Sequence, residues 1–491
     1  MRPEVRSAAP ESVDAEVLAV PLTAASSGVL NRLDGLLGGR LGGLVASGEA
    51  KPEGNRVAVL HVGESEAVTA KRVALVGAGA GGEVDEDSVR TAASAAVRAA
   101  AGLGGTVVWA FDPELPLSPE DQIRTVVEGA VLGSYEPGRW KTAPPPARAD
   151  RIVIAGADEA LAGVAARAEV VARWTNRARE LVDGPPNEVT PAGLADAAAT
   201  LLTPLGVSVE TLGPDEIAAL GLGALAAVGA GSANSPRLVV IRHRADAGAG
   251  TVLGLVGKGV TYDSGGYFLK GQSDLVKQKA DMGGAAAVIG AVGAVAELGV
   301  PLELLAVIPA AENMIDGAAY RPNDILRTAS GLTVEVTNPD AEGRLIMADA
   351  LWYARQHGAT HLIDVATLTG AMRGALGDMW VGVFSNDESW RTEIVAAGEA
   401  SGDHAWPWPL HRRYRRLLDS QLADLQHTSG RSFGYPIIAA TFLERFAGDG
   451  PWAHIDIHSA AFLDEERDYL RRGATGAGVR LLTELATRMA N

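Results

Sequence analysis

The chain has 491 residues, which is too long for one compact hydrophobic core and predicts two domains. Its net charge of −17 argues against nucleic acid and anionic membranes as partners, because both are bound by basic patches. The sequence contains no cysteine, which excludes disulfides and thiolate zinc sites. Residues 1–20 lack the apolar core of a signal peptide, and no run of about 18 uncharged apolar residues predicts a membrane span. We therefore expect a cytoplasmic protein.

The N-terminal part of the chain alternates short apolar runs with helical runs, which is typical of an α/β domain. Strands are predicted at 57–62, 72–78, 106–111 and 151–156, and a helix at 88–103. A long helical segment over 158–184 ends at a Gly-Pro-Pro stop. We predict a smaller N-terminal α/β domain over 1–157 with an assembly or regulatory role, a connecting helix over 158–184, and a larger domain over 185–491.

The C-terminal part of the chain shows the same alternation over a longer span. Strands are predicted at 237–243, 251–259, 301–310, 332–338, 360–368 and 452–459, with helices between them, for example at 283–299. This pattern predicts one large α/β/α domain with a central sheet.

Two short motifs suggest other functions, but neither has the context that the function needs. Gly77, Gly79 and Gly82 have GxGxxG spacing after a strand, yet the next five residues include four acids that would repel a pyrophosphate. The stretch GRSFG (430–434) matches GxSxG, but a polar segment precedes it and a proline follows closely. We expect neither dinucleotide binding nor a Ser432 nucleophile.

Charged residues are concentrated in two segments that follow predicted strands, where open α/β sheets place their sites. They are Lys258, Asp263, Lys270 and Asp281 in the first segment and Asp340, Glu342 and Arg344 in the second. Four converging carboxylates would repel one another and take up protons, and two divalent cations supply the charge that prevents this. An oxygen-rich set suits Mg, Mn or Zn, and two ions about 3.5–4 Å apart form a hydrolytic centre. A DxExR triplet is more often a group of solvated loop charges, so the residues alone leave both interpretations open.

Several longer motifs resemble the cytosol (leucyl) aminopeptidase family. They are VGKGVTYDSGG, DMGGAAAV, ENMIDGAAYRPNDIL, NPDAEGRLIMADAL and DVATLTGAM, in this order, with RELVDGPPNEVTP before them and YLRRGATGAGVR after them. The resemblance covers about residues 178–490, whereas the N-terminal part is similar only in length and pattern. It implies a mixed central sheet in the catalytic domain, a homohexamer, and removal of N-terminal residues from peptides by two divalent metals.

The resemblance implies five metal ligands, namely Lys258, Asp263, Asp281, Asp340 and Glu342. Asp263 and Glu342 would bridge the two ions, with Lys258 and Asp281 completing one shell and Asp340 the other. Lys258 must be neutral to donate a lone pair, so adjacent dications have to depress its pKa. The expected cofactors are two divalent ions per subunit, Mn, Zn or Mg, together with bicarbonate.

The resemblance makes Lys270 and Arg344 a catalytic pair that binds no metal. Lys270 would stabilise the oxyanion that develops on the scissile carbonyl. Arg344 would hold a bicarbonate that relays a proton from the metal-activated bridging water to the leaving amine. Thr367, Leu368 and Gly370 in TLTG are expected to contact the substrate, whose free α-amine would bind one metal.

The side-chain pocket departs from the family pattern. Gln278 stands where family members often carry Met, and His458 and Ser459 replace the last two residues of DIAG. Bulky residues enter the predicted helix over 434–443 near its start: Tyr435, Ile437 and Ile438. We expect a more polar substrate-binding pocket, with Gln278 and His458 beside it, and no simple preference for leucine.

Pro339 stands where the family usually has Thr. Compared with Thr, it lacks one N–H and one hydroxyl, fixes its own φ at about −65°, and keeps Asn338 extended. None of these changes removes a ligand, so we predict that the site survives.

Two functions from different classes remain. The first is an active metalloaminopeptidase, and the second is a catalytically weak hexameric family member with a binding or regulatory role. The intact functional positions favour the first function, and the acidic charge disfavours DNA binding.

Overall fold

The computed structural model describes residues 1–25, 27–63, 67–80, 84–144, 146–244 and 250–490. The chain divides into two compact units. The first unit comprises Met1–Asn176 and Asp464–Arg472, and the second comprises Arg177–Leu463 and Gly473–Asn491. The division falls within the helix Ala162–Asp183, which lies inside the predicted connecting helix. The predicted domain boundaries at 157 and 185 stay a prediction.

The first unit is built on one sheet. Its strands β1 to β6 are Arg2–Arg6, Val17–Leu22, Val57–His61, Arg72–Gly77, Gly105–Ala110 and Ala149–Ala155. Among the described residues they form a six-stranded sheet in the order β1-β6-β5-β2-β4-β3, in which β3 alone is antiparallel to its neighbour. No strand was predicted at β2, where Pro21 argues against a central position. The sheet accepts Pro21 because β5 pairs with β2 only at Val17, Leu18 and Ala19.

Most helices of the first unit begin at a residue whose side chain caps them. Helices α1 to α4 are Gly28–Leu36, Arg40–Ser47, Glu86–Ala99 and Pro119–Gly133. Asp85 accepts the Ser88 backbone N–H and caps α3, so the acids after the glycine-rich motif mark a helix start. A Cβ on Gly77 would lie 2.0 Å from the Glu53 carbonyl oxygen, so close packing explains this glycine. Gly82, the last glycine of the motif, lies outside the described residues.

The segment Asp464–Arg472 belongs to the first unit although it is distant in sequence. Arg98 forms an ion pair with Glu466 and donates to the Tyr469 carbonyl at 3.0 Å. Arg471 lies 2.6 Å from the Glu136 carboxylate. These polar contacts attach the segment to residues of the N-terminal part.

The second unit contains the large sheet. Its strands β7 to β20 are Ser208–Leu212, Arg237–His243, Val252–Gly257, Gly259–Asp263, Glu303–Asn313, Ile325–Arg327, Thr333–Glu335, His361–Ala366, Val381–Ser385, Ala405–Pro407, Leu425–Gln426, Trp452–Asp456, Phe462–Leu463 and Gly473–Ala474. The main sheet has the order β16-β15-β18-β14-β9-β11-β8-β7, with β10 beside β11. Strands β18, β14, β9 and β11 are parallel, whereas β15 and β8 flank them antiparallel. The predicted mixed central sheet is therefore confirmed.

Helices cover both faces of this sheet. Helices α5 to α15 are Ala162–Asp183, Pro191–Leu202, Pro214–Ala219, Gly223–Gly229, Gln272–Leu275, Gly283–Glu297, Glu342–Gln356, Ala371–Leu376, Glu388–Ser401, Tyr435–Glu444 and Val479–Ala490. Buried side chains of α8, α11 and α14 share one hydrophobic cluster with alternate residues of the strands, such as Leu305 and Val307. Helices α10 and α15 pack on each other, and α10 covers β9 and β14 outside that cluster. The result is the predicted α/β/α arrangement.

The stretch Gln278–Glu297, which contains α10, is long and apolar enough to cross a membrane by length and composition. However, 89% of the apolar 18-residue part of this stretch is buried within the protein. Its hydrophobicity is therefore that of a central core helix.

Candidate metal centre and active site

The site lies where the parallel strands of the large sheet end. Lys258 follows β9, Asp263 closes β10, and Thr367 follows β14. The second charged segment, Asp340 to Arg344, does not follow a strand of the large sheet. The strand before it, β13, ends at Glu335 and belongs to a small three-stranded sheet. The strand predicted over 332–338 is therefore too long, and Asp340 lies in a loop before helix α11.

Lys258 interrupts the strand predicted over 251–259 and separates β9 from β10. Its backbone N–H donates to the Val365 carbonyl at 3.0 Å, and its carbonyl accepts the Ala285 N–H at 2.9 Å. These bonds fix the backbone between β14 and the start of α10. A Cβ on Gly343 would lie 2.4 Å from the Lys258 Cε atom, so glycine lets α11 begin against the lysine stem.

The buried Lys258 ammonium is surrounded by acceptors. Its Nζ lies 2.7 Å from both Asp281 carboxylate oxygens, 2.9 Å from Glu342 Oε1 and 3.1 Å from the Thr367 carbonyl. Burial alone would lower the pKa of Lys258, but Asp281, Glu342 and Asp263 raise it overall. A depressed pKa was predicted for Lys258 beside two dications, whereas the carboxylates of this structure raise it.

Lys270 connects the two charged segments. Its Nζ lies 2.7 Å from Asp263 Oδ2 and also forms an ion pair with Asp340. The side chain of Lys270 is 18% exposed and that of Asp340 is 33% exposed, so both can reach a bound molecule. Burial would lower the pKa of Lys270, but the surrounding carboxylates raise it overall.

The carboxylates converge as the charge argument required. Asp263, Asp340 and Glu342 each place one oxygen within 4.8 Å of the others. Burial raises the pKa of Asp263 and of Asp281, and repulsion from Glu342 adds to both shifts. Glu342 Oε2 is buried without a hydrogen-bond partner among the described residues. Hard oxygen donors with one unpaired buried oxygen fit a divalent metal site.

Arg344 lies on α11 two residues after Glu342, and its side chain is buried. One terminal nitrogen donates to the His427 carbonyl at 2.9 Å, whereas Nε has no hydrogen-bond partner among the described residues. Burial lowers the pKa of Arg344 to about 10, so the guanidinium stays charged at neutral pH.

Pro339 leaves Asp340 inside the cluster. Its carbonyl accepts the Tyr320 hydroxyl at 2.6 Å and the Asn313 side-chain N–H at 3.0 Å. The Asp340 backbone N–H donates to Asn338 Oδ1 at 2.9 Å. The proline carries none of these donors, so the loop geometry does not depend on the N–H that it lacks.

Asp456, at the end of β18, holds the TLTG loop (367–370) by hydrogen bonds. Its carboxylate accepts the Leu368 N–H at 3.2 Å and the Thr369 hydroxyl at 2.6 Å. Thr367 Oγ1 donates to Asp281 Oδ1 at 2.8 Å, so this loop also touches the carboxylate cluster. Gly370 precedes α12.

A buried ionic network of Asp364, His454 and Asp456 continues from the Asp456 carboxylate. His454 Nδ1 is 2.5 Å from Asp364 Oδ1, and its Nε2 is 3.9 Å from Asp456 Oδ2. The Trp452 indole N–H donates to Asp364 Oδ2 at 2.8 Å. This network was not predicted from the sequence, because only the pairing of β14 with β18 brings its residues together.

Gln278 and His458 are the two residues predicted to lie beside the side-chain pocket. His458 is half-buried, and its Nε2 would lie 3.7 Å from a Cβ on Gly370. Gln278 is half-buried and donates to the Asp274 carbonyl at 3.1 Å.

The pocket roles predicted for Tyr435, Ile437, Ile438 and Ser459 stay predictions. Ile437 and Ile438 pack into the hydrophobic core of α14, and Ser459 is buried and donates to the Trp380 carbonyl at 2.5 Å. Of the bulky residues at the start of α14, Tyr435 is exposed.

Ser432 has no nucleophile-elbow geometry. Helix α14 does begin shortly after it, with Pro436 in the first turn, so the proline argument was wrong. Ser432 itself is exposed, and the stretch before it is a loop that follows β17.

A buried centre of carboxylates and lysines at the carboxyl edge of a mixed α/β sheet defines a metal-dependent hydrolase. The comparisons with known proteins define the family. The catalytic-domain profile of the cytosol aminopeptidase family matches residues 176–483, and the N-terminal-domain profile of the same family matches residues 19–144. The chain belongs to the cytosol aminopeptidase family, and it is a metal-dependent aminopeptidase.

Relatives match over most of their length. A probable cytosol aminopeptidase of Solibacter usitatus is 44% identical over 445 residues, covering 90% of this chain and 92% of the relative. One of Roseiflexus castenholzii is 43% identical, covering 85% and 87%. A mutant of tomato leucine aminopeptidase has a similar structure, with a TM-score of 0.90, 32% identity and coverage of 99% and 96%. The bottromycin maturation enzyme BotP in complex with Mn has a TM-score of 0.85, 35% identity and coverage of 97% and 100%.

Proposed function

We propose that this protein removes the N-terminal residue from peptides with two divalent ions. Lys258, Asp263, Asp281, Asp340 and Glu342 would hold the ions. One observation carries this proposal: three carboxylates lie within 4.8 Å of one another, and two lysines are paired with them. Divalent ions at this position would polarise the scissile carbonyl and lower the pKa of a water molecule.

Lys270 stabilises the negative charge that develops on the carbonyl oxygen. Its ammonium lies between Asp263 and Asp340, and its side chain is open enough to donate to a bound substrate. Lys258, by contrast, is enclosed by Asp281 and Glu342 and reaches no substrate. The two lysines therefore have different roles.

Arg344 holds an anion, and bicarbonate is the anion that we propose. Its guanidinium is buried, and within the described part of the chain its Nε has no hydrogen-bond partner. A bicarbonate held there would supply a base for proton transfer between water and the leaving amine.

The substrate amide is oriented by the TLTG loop. Asp456 fixes the Leu368 N–H, which leaves the Leu368 carbonyl and the Gly370 N–H as groups for substrate contacts. Gln278 and His458 make the side-chain pocket more polar than an aliphatic pocket. We expect no large preference for leucine, and a panel of aminoacyl-amides in which leucine leads polar residues by far would contradict this.

Assembly and location follow the family. We propose a cytoplasmic homohexamer in which the N-terminal domain, residues 1–157, serves assembly, and residues 158–184 connect it to the catalytic domain over 185–491. Sedimentation of the purified protein tests the assembly, and a monomer would refute it.

Activity assays after chelation test the proposed function. The full-length protein is assayed on a peptide amide before chelation, after it, and after addition of Mn, Zn or Mg. Manganese is tested first, because the related BotP was solved with Mn. Loss of activity on chelation and recovery with metal support the proposal. Activity that survives chelation contradicts it, and Ser432→Ala then tests serine chemistry. No activity with any metal favours the catalytically weak family member with a binding role.

A further inference from the structure

Asn313 is the last residue of strand β11, contacts Asp263 of the carboxylate cluster and is fully buried. It is paired in register with Asp263 on the neighbouring strand β10. Its backbone carbonyl accepts both the Ser264 N–H at 3.0 Å and the Ser264 hydroxyl at 2.7 Å. The backbone of the loop after Asp263 is therefore fixed to this one residue.

The Asn313 side chain joins the two charged segments. Its Nδ2 donates to Asp263 Oδ1 at 2.8 Å and to the Pro339 carbonyl at 3.0 Å. Asp340 follows Pro339 directly, so one amide group holds a carboxylate of the first segment and the backbone that carries a carboxylate of the second.

The orientation of this amide follows from its partners. A carboxylate oxygen and a carbonyl oxygen only accept, so the NH₂ end must face them. The Oδ1 atom then points to Gly266 and has no hydrogen-bond partner among the described residues. A Cβ on Gly266 would lie 2.9 Å from this oxygen, so the glycine leaves the room that the orientation needs.

We propose that Asn313 is a positioning residue that sets the separation of Asp263 and Asp340 before an ion binds. Carboxylates that converge without a cation repel one another, and a donor between the two segments opposes this repulsion. A site held in its binding geometry by the fold loses less free energy to ordering when the ion binds. The inference rests on the proposed roles of Asp263 and Asp340 as ligands.

Tyr320 provides an internal comparison. Its hydroxyl donates to the same Pro339 carbonyl at 2.6 Å but does not share the contact to Asp263. If Asn313 acts by connecting the two segments, its loss should weaken metal binding more than the loss of the Tyr320 hydroxyl.

Asn234 provides a matched control. Its Nδ2 donates to Glu312, the neighbour of Asn313 on β11, at 3.1 Å. Asn234→Ala therefore removes an asparagine amide that contacts the same strand without touching the carboxylate cluster.

Metal titration of the chelated full-length protein tests the proposal. Isothermal calorimetry with Mn²⁺ is run on the wild type, N313L, N313A, Y320F and N234A, and the unfolding temperature of each metal-free protein is measured. N313L keeps the side-chain volume and removes the donor, and N313A replaces it if N313L does not fold. We expect Mn²⁺ affinity to fall about 10–100-fold in N313L, less in Y320F, and not in N234A.

Mn²⁺ affinity within about twofold of wild type in both Asn313 variants would overturn the proposal, since a second-sphere partner of a ligand is expected to change it by more. So would a lower unfolding temperature with unchanged affinity, since this is the result of a purely structural role. A wild-type protein that binds no Mn²⁺, and no Zn²⁺ when that ion is titrated in its place, would instead overturn the proposed metal centre itself, and the role of Asn313 with it.

Discussion

The buried histidine between Asp364 and Asp456 should make the protein lose stability as the pH rises. Burial alone would lower the pKa of His454, but the adjacent Asp364 carboxylate raises it to about 9 overall. The ring is enclosed in the sheet and stacks on Phe384 with ring centroids 5.8 Å apart. Water cannot replace the aspartates as partners of the imidazolium at this depth.

The magnitude follows from the shift of this pKa. An unperturbed histidine has a pKa of about 6.5, and each pKa unit corresponds to about 1.4 kcal/mol. The rise to about 9 in His454 therefore corresponds to about 3 kcal/mol of unfolding free energy. Because the folded-state pKa is the higher one, this contribution is complete below about pH 6.5 and is lost as the pH rises through about 9.

Urea unfolding between about pH 6 and 10 measures this loss, with His454→Gln as the variant that cannot titrate. We expect the wild type to lose about 3 kcal/mol of unfolding free energy relative to the variant over this range. Asp364→Asn should reduce the difference, since it removes the charge that raises the pKa. If the difference between wild type and His454→Gln stays constant from about pH 6.5 to 9, the histidine is not ionised in the folded protein and the reasoning fails.

Three substitutions test the centre itself. Glu342→Gln removes the buried carboxylate 2.9 Å from Lys258 Nζ, so bound Mn measured by mass spectrometry should fall together with activity; Mn at the wild-type level would contradict its assignment as a ligand. Lys270→Met keeps the apolar stem without the ammonium, and we expect kcat to fall about 10²–10³-fold with metal content unchanged. An unaltered kcat would exclude Lys270 from oxyanion stabilisation. Pro339→Thr leaves the carbonyl of residue 339 in place, so kcat/KM should change less than about tenfold, or about 1.4 kcal/mol. A rise by orders of magnitude would mean that the proline had displaced Asp340.

The central sheet was predictable because its strands are continuous apolar runs, as in the strand Arg237–His243. The charged groups at the ends of β9 and β10 were predictable for the same reason, since an apolar run stops at Lys258 and Asp263. The strand predicted over 332–338 was too long, because β13 pairs with its neighbours only as far as Glu335. Val336 is buried and its backbone is hydrogen-bonded to Asn323 and Asp324, which lie outside the strands. Apolar alternation alone therefore does not locate the last paired residue of a strand.

The residues that fix the centre were not predictable from sequence spacing. Asn313 lies beside Asp263, and His454 beside Asp364, through the register of neighbouring strands. Each pair is distant along the chain, and a shift of one residue in register would separate both.

The discontinuity of the first unit has a consequence for synthesis of the protein. Arg98 pairs with Glu466, and Glu136 pairs with Arg471. Glu466 and Arg471 are translated long after the N-terminal part has left the ribosome. The first unit must therefore wait for most of the second to be made before its last ion pairs form. A fragment that ends at Asn176 lacks these partners permanently, so proteolytic release of the N-terminal part would yield an incomplete unit.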